Sequence, residues 1–466
     1  MNRVEPKTLS GFMELMPQDQ ILFDKIKNTI EEVYASYGFY NLDTPIIEAS
    51  EVLLAKAGGE TEKQIYRFNK GDNDLSLRFD LTVPLAKYVA KRYNELIFPF
   101  KRYQIGKVYR GERPQKGRFR EFYQCDIDVI GNETLSLRYD VEIPSIIYDI
   151  FKKLNFGEFV IGINNRKVLS GFFESLGLLD KITDILRIVD KLEKIGIESV
   201  KRELRDLEVS NEKIDSIINF ISIDGTNLEK INKLKNLNIE NDKFNEGVTE
   251  LEFVITNLNS MNIDSKNYEI DLTIARGLDY YTGTVYETRL VDYPSIGSVC
   301  SGGRYDDLAS YYTDKKLPGV GISIGLTRLF YQLMEANIIS KEESSVSEIT
   351  ILPMTENFEY VYKVANIFRN NNIKTDICYL GKFKQLMRYA DRQKTPFIII
   401  IGDDEISNNV VTLKNMTTGE QEQISLNNLI EEYLKQNNIT LGLNINDVKE
   451  FKKDILNKLK INLVDN

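Results

Sequence analysis

The chain has 466 residues, a formal net charge of −10 and 42% hydrophobic residues, which suits two or three cores and argues against a protein that coats nucleic acid nonspecifically. It contains no histidine and only three widely spaced cysteines, so it lacks the usual zinc ligands, the pairs of a disulfide framework and an imidazole general base. The N-terminus does not resemble a secretory signal, and the longest apolar runs are too short to cross a bilayer, so we expect a cytoplasmic protein without a membrane partner.

The N-terminal third predicts a helix followed by a polar hairpin. Residues 18–37 carry apolar side chains at helical spacing, and strand-like stretches at 98–110 and 119–130 flank a charged loop. The second stretch alternates with period two, and its polar face carries Arg120, Gln124, Asp126 and Asp128. This face is either exposed to solvent or forms the floor of a polar site.

The middle of the chain changes character. Residues about 170–260 are rich in Leu, Ile, Lys, Glu and Asp and predict a helical insertion within a larger unit of residues 1–330. Strands are then expected near 268–274, 284–291 and 297–300, with Gly302-Gly303 and a helix after the last of them. The stretch 319–325 leads into a helix that begins at Leu326.

A polar segment at 331–347 is typical of a linker. Strands and helices alternate over residues 348–440, which predicts a separate α/β domain with a largely parallel or mixed sheet. Residues 441–466 form a polar tail to which we assign no role.

Three segments carry an arginine in an unusual setting, namely 108–114, 275–283 and 325–328. Arginine presents a planar fork that suits phosphate or carboxylate, so arginines that converge on one polar face would suit a triphosphate. The alternative is a set of unrelated surface arginines. The segment after Arg276 contains two adjacent tyrosines, Tyr280 and Tyr281.

The paired glycines Gly302 and Gly303 are a separate feature. They permit either the close approach of a ligand or a neighbouring strand, or a tight turn.

These segments carry a resemblance to a known family. Residues 276–287, RGLDYYTGTVYE, and 301–308, SGGRYDDL, resemble the two signatures of histidine–tRNA ligases. Residues 108–131 are similar to class II motif 2, 319–329 to motif 3, and Pro45 occupies the position of the motif 1 proline. Residues 382–416 resemble the anticodon-binding domain of the same family.

The resemblance implies an α+β fold. Its catalytic domain would be a class II synthetase antiparallel sheet flanked by helices, with a helical insertion and a C-terminal α/β anticodon-binding domain. It also implies a homodimer that activates histidine with ATP and Mg²⁺ and transfers it to histidine tRNA. Adenylate formation needs positioning and charge stabilisation more than proton transfer, so the missing imidazole is no obstacle.

Residue roles follow from motif position. The resemblance implies that Arg110 holds the α-phosphate, Phe122 stacks on adenine and Arg328 binds the γ-phosphate. The implied ATP-binding set is Arg110, Glu112, Arg118, Phe122 and Arg328. The implied histidine-binding set is Asp80, Thr82, Gln124, Asp128, Arg276, Tyr280 and Tyr281. Arg276 and Arg110 are the implied catalytic residues.

The sequence departs from the family pattern at two places. Thr327 stands where many members have an acidic residue, and residues 78–82 are closer to the eukaryotic and archaeal form than to the common bacterial one. The second departure bears on the assignments at Asp80 and Thr82.

For tRNA we expect two contact regions. Gln115 and Arg120 of the hairpin would meet the acceptor end. A helix near 382–394 carries Lys384, Arg388 and Arg392 at spacings of four, which is either a tRNA-binding face or an ordinary solvated helix face.

Two rival functions remain open at this stage. One is the histidine-binding regulatory subunit of ATP phosphoribosyltransferase, which resembles the catalytic domain but usually lacks the anticodon-binding domain. The other is a ligase for a different amino acid.

The absence of histidine raises a separate hypothesis, because a histidine–tRNA ligase without histidine could still be translated when charged histidine tRNA runs out. Compositional drift is the alternative. An equal fall in the synthesis of this chain and of other proteins during histidine starvation would contradict the hypothesis.

Overall fold

The computed structural model describes residues 3–55, 60–113, 117–189, 191–274, 281–306, 309–339, 345–426 and 428–429. The chain forms two compact units, one of Met1–Leu15 with Phe23–Ser340 and one of Met16–Leu22 with Lys341–Asn466. The expected tail at 441–466 and part of the expected linker at 331–347 lie outside the described residues. The domain boundaries inferred from the sequence stay predictions.

The first unit combines a large sheet, a small sheet and helices. Its strands are β1 (Tyr40–Asn41), β2 (Ile47–Ala49), β3 (Arg67–Lys70), β4 (Asn73–Leu77), β5 (Phe100–Tyr109), β6 (Glu121–Ile130), β7 (Phe159–Asn165), β8 (Tyr268–Ile270), β9 (Thr284–Leu290), β10 (Ser298–Tyr305) and β11 (Gly319–Ile324). Its helices are α1 (Pro17–Ser36, which belongs to this unit from Phe23 onward), α2 (Ser50–Leu54), α3 (Glu60–Gln64), α4 (Thr82–Arg92), α5 (Arg138–Leu154), α6 (Arg166–Ser175), α7 (Ile182–Val189), α8 (Leu192–Ile195), α9 (Ile197–Asp206), α10 (Asn211–Ile221), α11 (Asn227–Lys235), α12 (Asp242–Leu258) and α13 (Leu326–Glu335). Short 3₁₀ helices lie at Leu179–Lys181, Asn259–Met261, Ser265–Asn267 and Pro294–Ile296.

Within the described residues, eight strands form the large sheet in the order β1-β5-β6-β11-β10-β9-β7-β8. Every strand pair between β5 and β7 in this order is antiparallel. The two edge pairs, β1 with β5 and β7 with β8, are parallel. The small sheet has the order β2-β4-β3 and is antiparallel. The expected fold class, an antiparallel sheet flanked by helices, is confirmed.

Helix α1 packs against the large sheet through an apolar stripe. Phe23, Ile26, Ile30 and Val33 recur every three or four residues and are buried, as expected of an amphipathic helix. The hydroxyl of Tyr34 donates a 3.0 Å hydrogen bond to the carbonyl of Cys125 on β6. The helix that the sequence predicts at 18–37 is therefore confirmed.

The predicted hairpin is also confirmed, and its polar face is buried. Strands β5 and β6 pair so that Arg102 lies opposite Asp128 and Gly106 opposite Gln124. Gln124, Asp126 and Asp128 are only 9%, 3% and 5% exposed. The alternative of a solvent-facing edge is therefore wrong for these three residues.

Strand β10 corrects one expectation. The strand continues to Tyr305, so Gly302 and Gly303 lie inside it and do not form a tight turn. A side chain at Gly302 would collide with the backbone carbonyl of Gly321 on β11, which explains the need for glycine. The helix expected directly after these glycines is absent from the described residues that follow, up to α13.

The predicted helical character of residues 170–260 is confirmed, because helices α6 to α12 occupy most of this region. Its interior includes a stacked pair, Phe172 and Phe220, with ring centroids 4.0 Å apart.

The second unit is a mixed sheet with helices on both faces. Its elements are β12 (Ile349–Met354), α14 (Phe358–Asn370), β13 (Thr375–Ile377), α15 (Phe383–Gln393), β14 (Phe397–Gly402), α16 (Asp403–Ser407), β15 (Val410–Asn415) and β16 (Gln421–Ser425). The sheet order is β13-β12-β14-β15-β16, with parallel pairs around β12 and antiparallel pairs from β14 onward.

Each face of this sheet has its own core. Val361 and Phe368 of α14 pack with Ile351, while Leu386 of α15 packs with Leu352. The expected α/β arrangement of this region is confirmed. No helix in the described ranges combines the length and apolar character that a membrane span requires.

Candidate active site

A cavity of about 420 Å³ opens over the large sheet of the first unit. Strands β6, β10 and β11, the β5–β6 hairpin and the start of α13 supply its walls. The residues that line it include Arg110, Glu112, Arg118, Phe122, Gln124, Ser301, Ser323 and Arg328. Every residue of the ATP-binding set implied by the sequence therefore lines one cavity. Arg276 and Tyr280 lie outside the described residues.

Arg110 lies between two aromatic rings at the end of β5. Its guanidinium carbon is 4.4 Å from the ring centroid of Phe79 and 5.0 Å from that of Phe122. Its Nε donates a 3.3 Å hydrogen bond to the carbonyl of Phe79. Burial lowers the pKa of Arg110, while Asp80 and Glu112 act in the opposite direction. Because arginine stays protonated in proteins, this places a fixed cation beside the ring of Phe122.

The hairpin loop is held by backbone contacts. Arg120 donates from Nε to the carbonyl of Glu112 at 3.1 Å, and its own N–H bonds the carbonyl of Gly11 at 2.7 Å. Arg118 forms a looser ion pair with Glu112 at 3.6 Å. Arg120 is thus tied to the protein through its guanidinium, and its proposed tRNA contact stays a prediction. Gln115 lies outside the described residues.

Helix α13 is attached to the strand that carries Phe122. The buried hydroxyl of Thr327 accepts a 2.8 Å hydrogen bond from the backbone N–H of Tyr123. Thr327 stands where many family members have an acidic residue, and here it joins the helix that carries Arg328 to β6. The departure at this position therefore has a structural role.

Asp128 lies deep in the sheet with a partner on each oxygen. Arg102 contacts Oδ2 at 2.7 Å, and the hydroxyl of Tyr305 donates to Oδ1 at 2.8 Å. Burial raises the pKa of Asp128, whereas Arg102 and the hydrogen bond from Tyr305 lower it. A side chain on Gly321 of β11 would collide with this carboxylate, so glycine leaves the space that Asp128 occupies.

Two further polar residues of β6 lie beside it. Gln124 donates from Nε2 to the hydroxyl of Ser323 at 2.8 Å. Burial raises the pKa of Asp126 to about 7, although Arg102 and a hydrogen bond with Ser323 lower it. Within the described residues, Oε1 of Gln124 and Oδ1 of Asp126 are buried without a hydrogen-bond partner. Such atoms are expected to bond a ligand or water.

The remaining predicted histidine-binding residues differ in how they are engaged. Oδ1 of Asp80 accepts from the backbone N–H groups of Thr82 and Val83 at 3.1 and 2.9 Å, so it caps helix α4. Burial raises the pKa of Tyr281, and the nearby Asp128 raises it further, so Tyr281 remains a neutral phenol beside that carboxylate.

Sequence reasoning missed Arg102, Tyr305 and Ser323. A signal for Arg102 was present, since Arg102 and Gln104 repeat on β5 the polar alternation seen on β6. Tyr305 lies in the quoted SGGRYDDL segment but had no role assigned.

In the second unit, Lys384, Arg388 and Arg392 are all exposed on α15, whose opposite side buries Leu386 and Ala390. Exposure of basic side chains is expected both of a solvated helix face and of a tRNA-binding face, so it does not distinguish the two. The assignment stays a prediction.

Comparison with known proteins gives two matches to family descriptions. Residues 11–329 match the model described as histidyl-tRNA synthetase, and residues 348–437 match the one described as anticodon binding domain. A histidine–tRNA ligase of Clostridium tetani is 60% identical over 431 residues, which are 92% of this chain and 98% of the relative. A histidine–tRNA ligase of Finegoldia magna is 51% identical over 92% of this chain and 99% of its own length. The crystal structure of histidyl-tRNA synthetase from Nostoc sp. PCC 7120 superposes with a TM-score of 0.86 at 42% identity, covering 93% of this chain and all of that chain.

Proposed function

This chain belongs to the histidyl-tRNA synthetase family, and on that premise we propose how its own residues carry out the family's reaction. The chain activates histidine with ATP to histidyl-adenylate and pyrophosphate, then transfers histidine to the 3′ end of tRNA. A regulatory subunit is the weaker alternative, because residues 348–437 match the anticodon binding domain that such subunits usually lack and the histidine–tRNA ligase of Clostridium tetani is 60% identical over 92% of this chain. A ligase for another amino acid is also the weaker alternative, because the relatives from Clostridium tetani and Finegoldia magna are both histidine–tRNA ligases.

Activation is an in-line attack by the histidine carboxylate on the α-phosphorus, with loss of pyrophosphate. The charge that builds on the phosphate oxygens needs fixed cations more than a base. Arg110 is the described residue that best meets this need, because it is charged, mostly buried and held by the carbonyl of Phe79. We assign the same purpose to Arg276.

The adenine base would stack on Phe122. One side of this ring carries the guanidinium of Arg110, and the ring also lines the cavity, so a second flat group can lie on it. Arg328 lines the same cavity and would bind the γ-phosphate, with Glu112 and Arg118 at the loop completing the ATP site. The observation that carries the proposal is this convergence of Arg110, Phe122 and Arg328 on one cavity.

The imidazole of histidine would be bound by Asp128 and Tyr281, with Tyr280 lining the same pocket. Asp128 suits this role because Arg102 and Tyr305 hold its carboxylate in one orientation. A substrate without a ring N–H would leave buried polar groups unpaired, which is a strong basis for selectivity. The amino group would lie near Asp80, Thr82 and Gln124, where Oε1 of Gln124 can accept a hydrogen bond.

Mg²⁺ would accompany the phosphates of ATP. Among the described residues there is no cluster of three or more acidic or cysteine side chains that could bind a metal ion alone. Glu112 is an acidic side chain on the cavity wall. Magnesium commonly keeps several waters and uses one or two carboxylates together with substrate phosphates. The carboxylate of Glu112 therefore fits the ion. The ion would neutralise charge on the phosphates.

We also infer a homodimer that works in the cytoplasm, which the family resemblance and the tRNA substrate support. Light scattering tests the first point, and a particle mass near twice 53.8 kDa is expected. A mass near that of one chain at working concentrations would contradict it.

Pyrophosphate exchange into ATP, with each amino acid in turn, tests the assigned residues. Exchange should require histidine and fall roughly 100-fold or more in Arg110→Ala and in Arg276→Ala, since each removes charge stabilisation of the transition state. Arg92→Ala is a matched control, because Arg92 is an exposed arginine that forms a local ion pair with Glu95. Undiminished exchange in Arg110→Ala would overturn its assigned role.

A further inference from the structure

Three carboxylates, those of Asp80, Asp126 and Asp128, interact electrostatically near the buried Arg102 at the floor of the site. Arg102 is fully buried, contacts Asp128 at 2.7 Å and lowers the pKa of Asp126 by its charge. The charge of Asp80 reaches both Asp126 and Asp128. Buried carboxylates that share too few cations cannot all ionise without a large cost.

Other groups around Asp126 also interact with its charge. Arg110 is a second cation near Asp126, and it interacts with Asp80 and Glu112 as well. The other titratable groups whose pKa values respond to Asp126 are neutral when protonated, and they are Tyr34 of α1, Cys125 of β6, Tyr281 and Cys300 of β10.

Asp126 also has unused hydrogen-bonding capacity. Its Oδ1 has no partner within the described residues, and neither do Nε and Nη1 of the neighbouring Arg102. Asp126 lies opposite Ser323, and Ser323 bonds Gln124, a residue of the proposed amino-group site. The sheet register therefore puts this carboxyl next to the place where the cationic end of the substrate would enter.

We propose that Asp126 is a further positioning residue of the histidine pocket, which holds a proton in the empty site and releases it to solvent when the ammonium group of histidine binds. The inference rests on the proposed histidine site. The O–H bond of the carboxylic acid breaks, its electron pair stays on Asp126 and the proton passes to the buffer. The arriving ammonium adds a positive charge beside Asp126, which favours the ionised form of its carboxyl.

The pKa of Asp126, raised by burial to about 7, agrees with a carboxyl that is neutral in the empty site below neutral pH. The chain has no histidine, so no imidazole of the protein titrates in the same range. Any proton released near pH 6 then comes from a perturbed carboxyl or from the substrate ring. An infrared measurement separates the two, because only a protonated carboxylic acid has the high-frequency carbonyl stretch.

The test is an infrared difference spectrum of the full chain near pH 6, with and without histidine. The empty wild type should show a carboxylic acid band that disappears on histidine binding and is absent throughout in Asp126→Asn. Des-amino histidine, which has the ring and carboxylate but no ammonium, should bind and leave the band in place. The histidine affinity of the wild type should rise more steeply with pH than that of Asp126→Asn, by up to about tenfold per pH unit below neutrality.

Several outcomes would overturn the proposal. No acid band in the empty wild type, a band that survives in Asp126→Asn, or a band lost with des-amino histidine would each do so. If Asp126→Asn does not fold, a ¹³C NMR titration of aspartate-labelled wild type gives the same answer, since one carboxyl must titrate near neutrality and change on histidine binding. Normal histidine-dependent pyrophosphate exchange alongside any of these failures would leave the proposed function intact, whereas loss of exchange would count against that function.

Discussion

The hydroxyl of Tyr305 donates a 2.8 Å hydrogen bond to Oδ1 of Asp128, across 177 residues of sequence. Both side chains are buried, and Arg102 contacts the other oxygen of the same carboxylate. The carboxylate is therefore held from two sides before any substrate arrives. This is the kind of fixed acceptor that a site for an imidazole ring requires, because orientation is set in advance.

Tyr305→Phe should weaken histidine recognition with little effect on ATP. The change removes one hydrogen bond to a charged group, worth about 1.5–3 kcal/mol, so the KM for histidine should rise about tenfold or more. The hydrogen bond lowers the pKa of Asp128, so its loss raises that pKa and the defect should grow as pH falls. Steady-state pyrophosphate exchange at several pH values measures the KM for histidine and the pH dependence of the defect. Tyr268→Phe is the matched control, since its hydroxyl bonds Asn259 elsewhere in the unit, and an equal effect there would contradict the assignment.

Arg102→Met should lower the free energy of unfolding by about 3–5 kcal/mol, because it leaves Asp128 buried beside Asp126 without their shared cation. The matched control is Arg67→Met. Arg67 also pairs with an aspartate, Asp74, but that pair is exposed and should contribute at most about 1 kcal/mol. Urea denaturation measures the two changes. Similar losses in both variants would mean that the buried pair has no special role.

Without bound histidine, the protein should have a pH-dependent stability to which Asp126 contributes. Burial raises the pKa of this carboxyl from 3.8 to about 7, so between these values the folded chain holds a proton that the unfolded chain has lost. The free energy of unfolding therefore falls as pH rises through this window, by about 1.4 kcal/mol per pH unit from this group. Asp126→Asn lacks the contribution, so its stability relative to the wild type should increase from about pH 5 to about pH 7. Denaturation curves at the two pH values check this, and a constant difference would contradict it.

The sequence predicts that β5 and β6 are strands, but it does not predict which residues on other strands contact their side chains. Period two on β6 indicates that Gln124, Asp126 and Asp128 share a face, but one of the strands that flank β6 is β11, which lies far away in sequence. Arg102 looks like a surface residue by its charge, and its partner Asp128 follows only after the hairpin. The polar alternation of β5 marks Arg102 as a site candidate, but no local pattern identifies Asp128 as its partner.

Two further details show the same limit. Gly302 and Gly303 are compatible with a turn or with close strand contact, and only the register with β11 decides between them. Thr327 looks like a departure from the family pattern until its hydroxyl is found on the N–H of Tyr123.

Thr327→Ala should loosen the ATP site. The variant leaves the partly buried backbone N–H of Tyr123 without its partner, which costs about 1–3 kcal/mol, and it removes this link between the start of α13 and β6. Because Arg328 is the next residue on α13, the KM for ATP should rise several-fold more than that for histidine. Thr327→Ser keeps the hydroxyl and should restore most of both stability and KM. Thermal unfolding and exchange kinetics measure these effects, and equal behaviour of the two variants would exclude a role for the hydroxyl.

The exposed basic side of α15 should affect tRNA and not activation. A triple variant to glutamine would change Lys384, Arg388 and Arg392 together. Because each lost phosphate contact lowers the slope of log binding constant against log salt by about 0.7–0.9, the variant should bind tRNA more weakly and with a shallower salt dependence. Its pyrophosphate exchange should equal that of the wild type, since the cavity proposed to bind ATP is formed by residues of the first unit.

The control for this variant is a second triple change to glutamine, at Lys201, Lys233 and Lys235 of the helical insertion. It removes the same formal charge from the chain, so any effect of net charge alone appears in both. If the two variants weaken tRNA binding equally, the charges on α15 act only through the overall field and the face is an ordinary solvated one. A larger loss and a shallower salt slope in the α15 variant alone would mean that this face contacts the tRNA backbone, because only direct neutralisation of phosphates changes the number of counterions released.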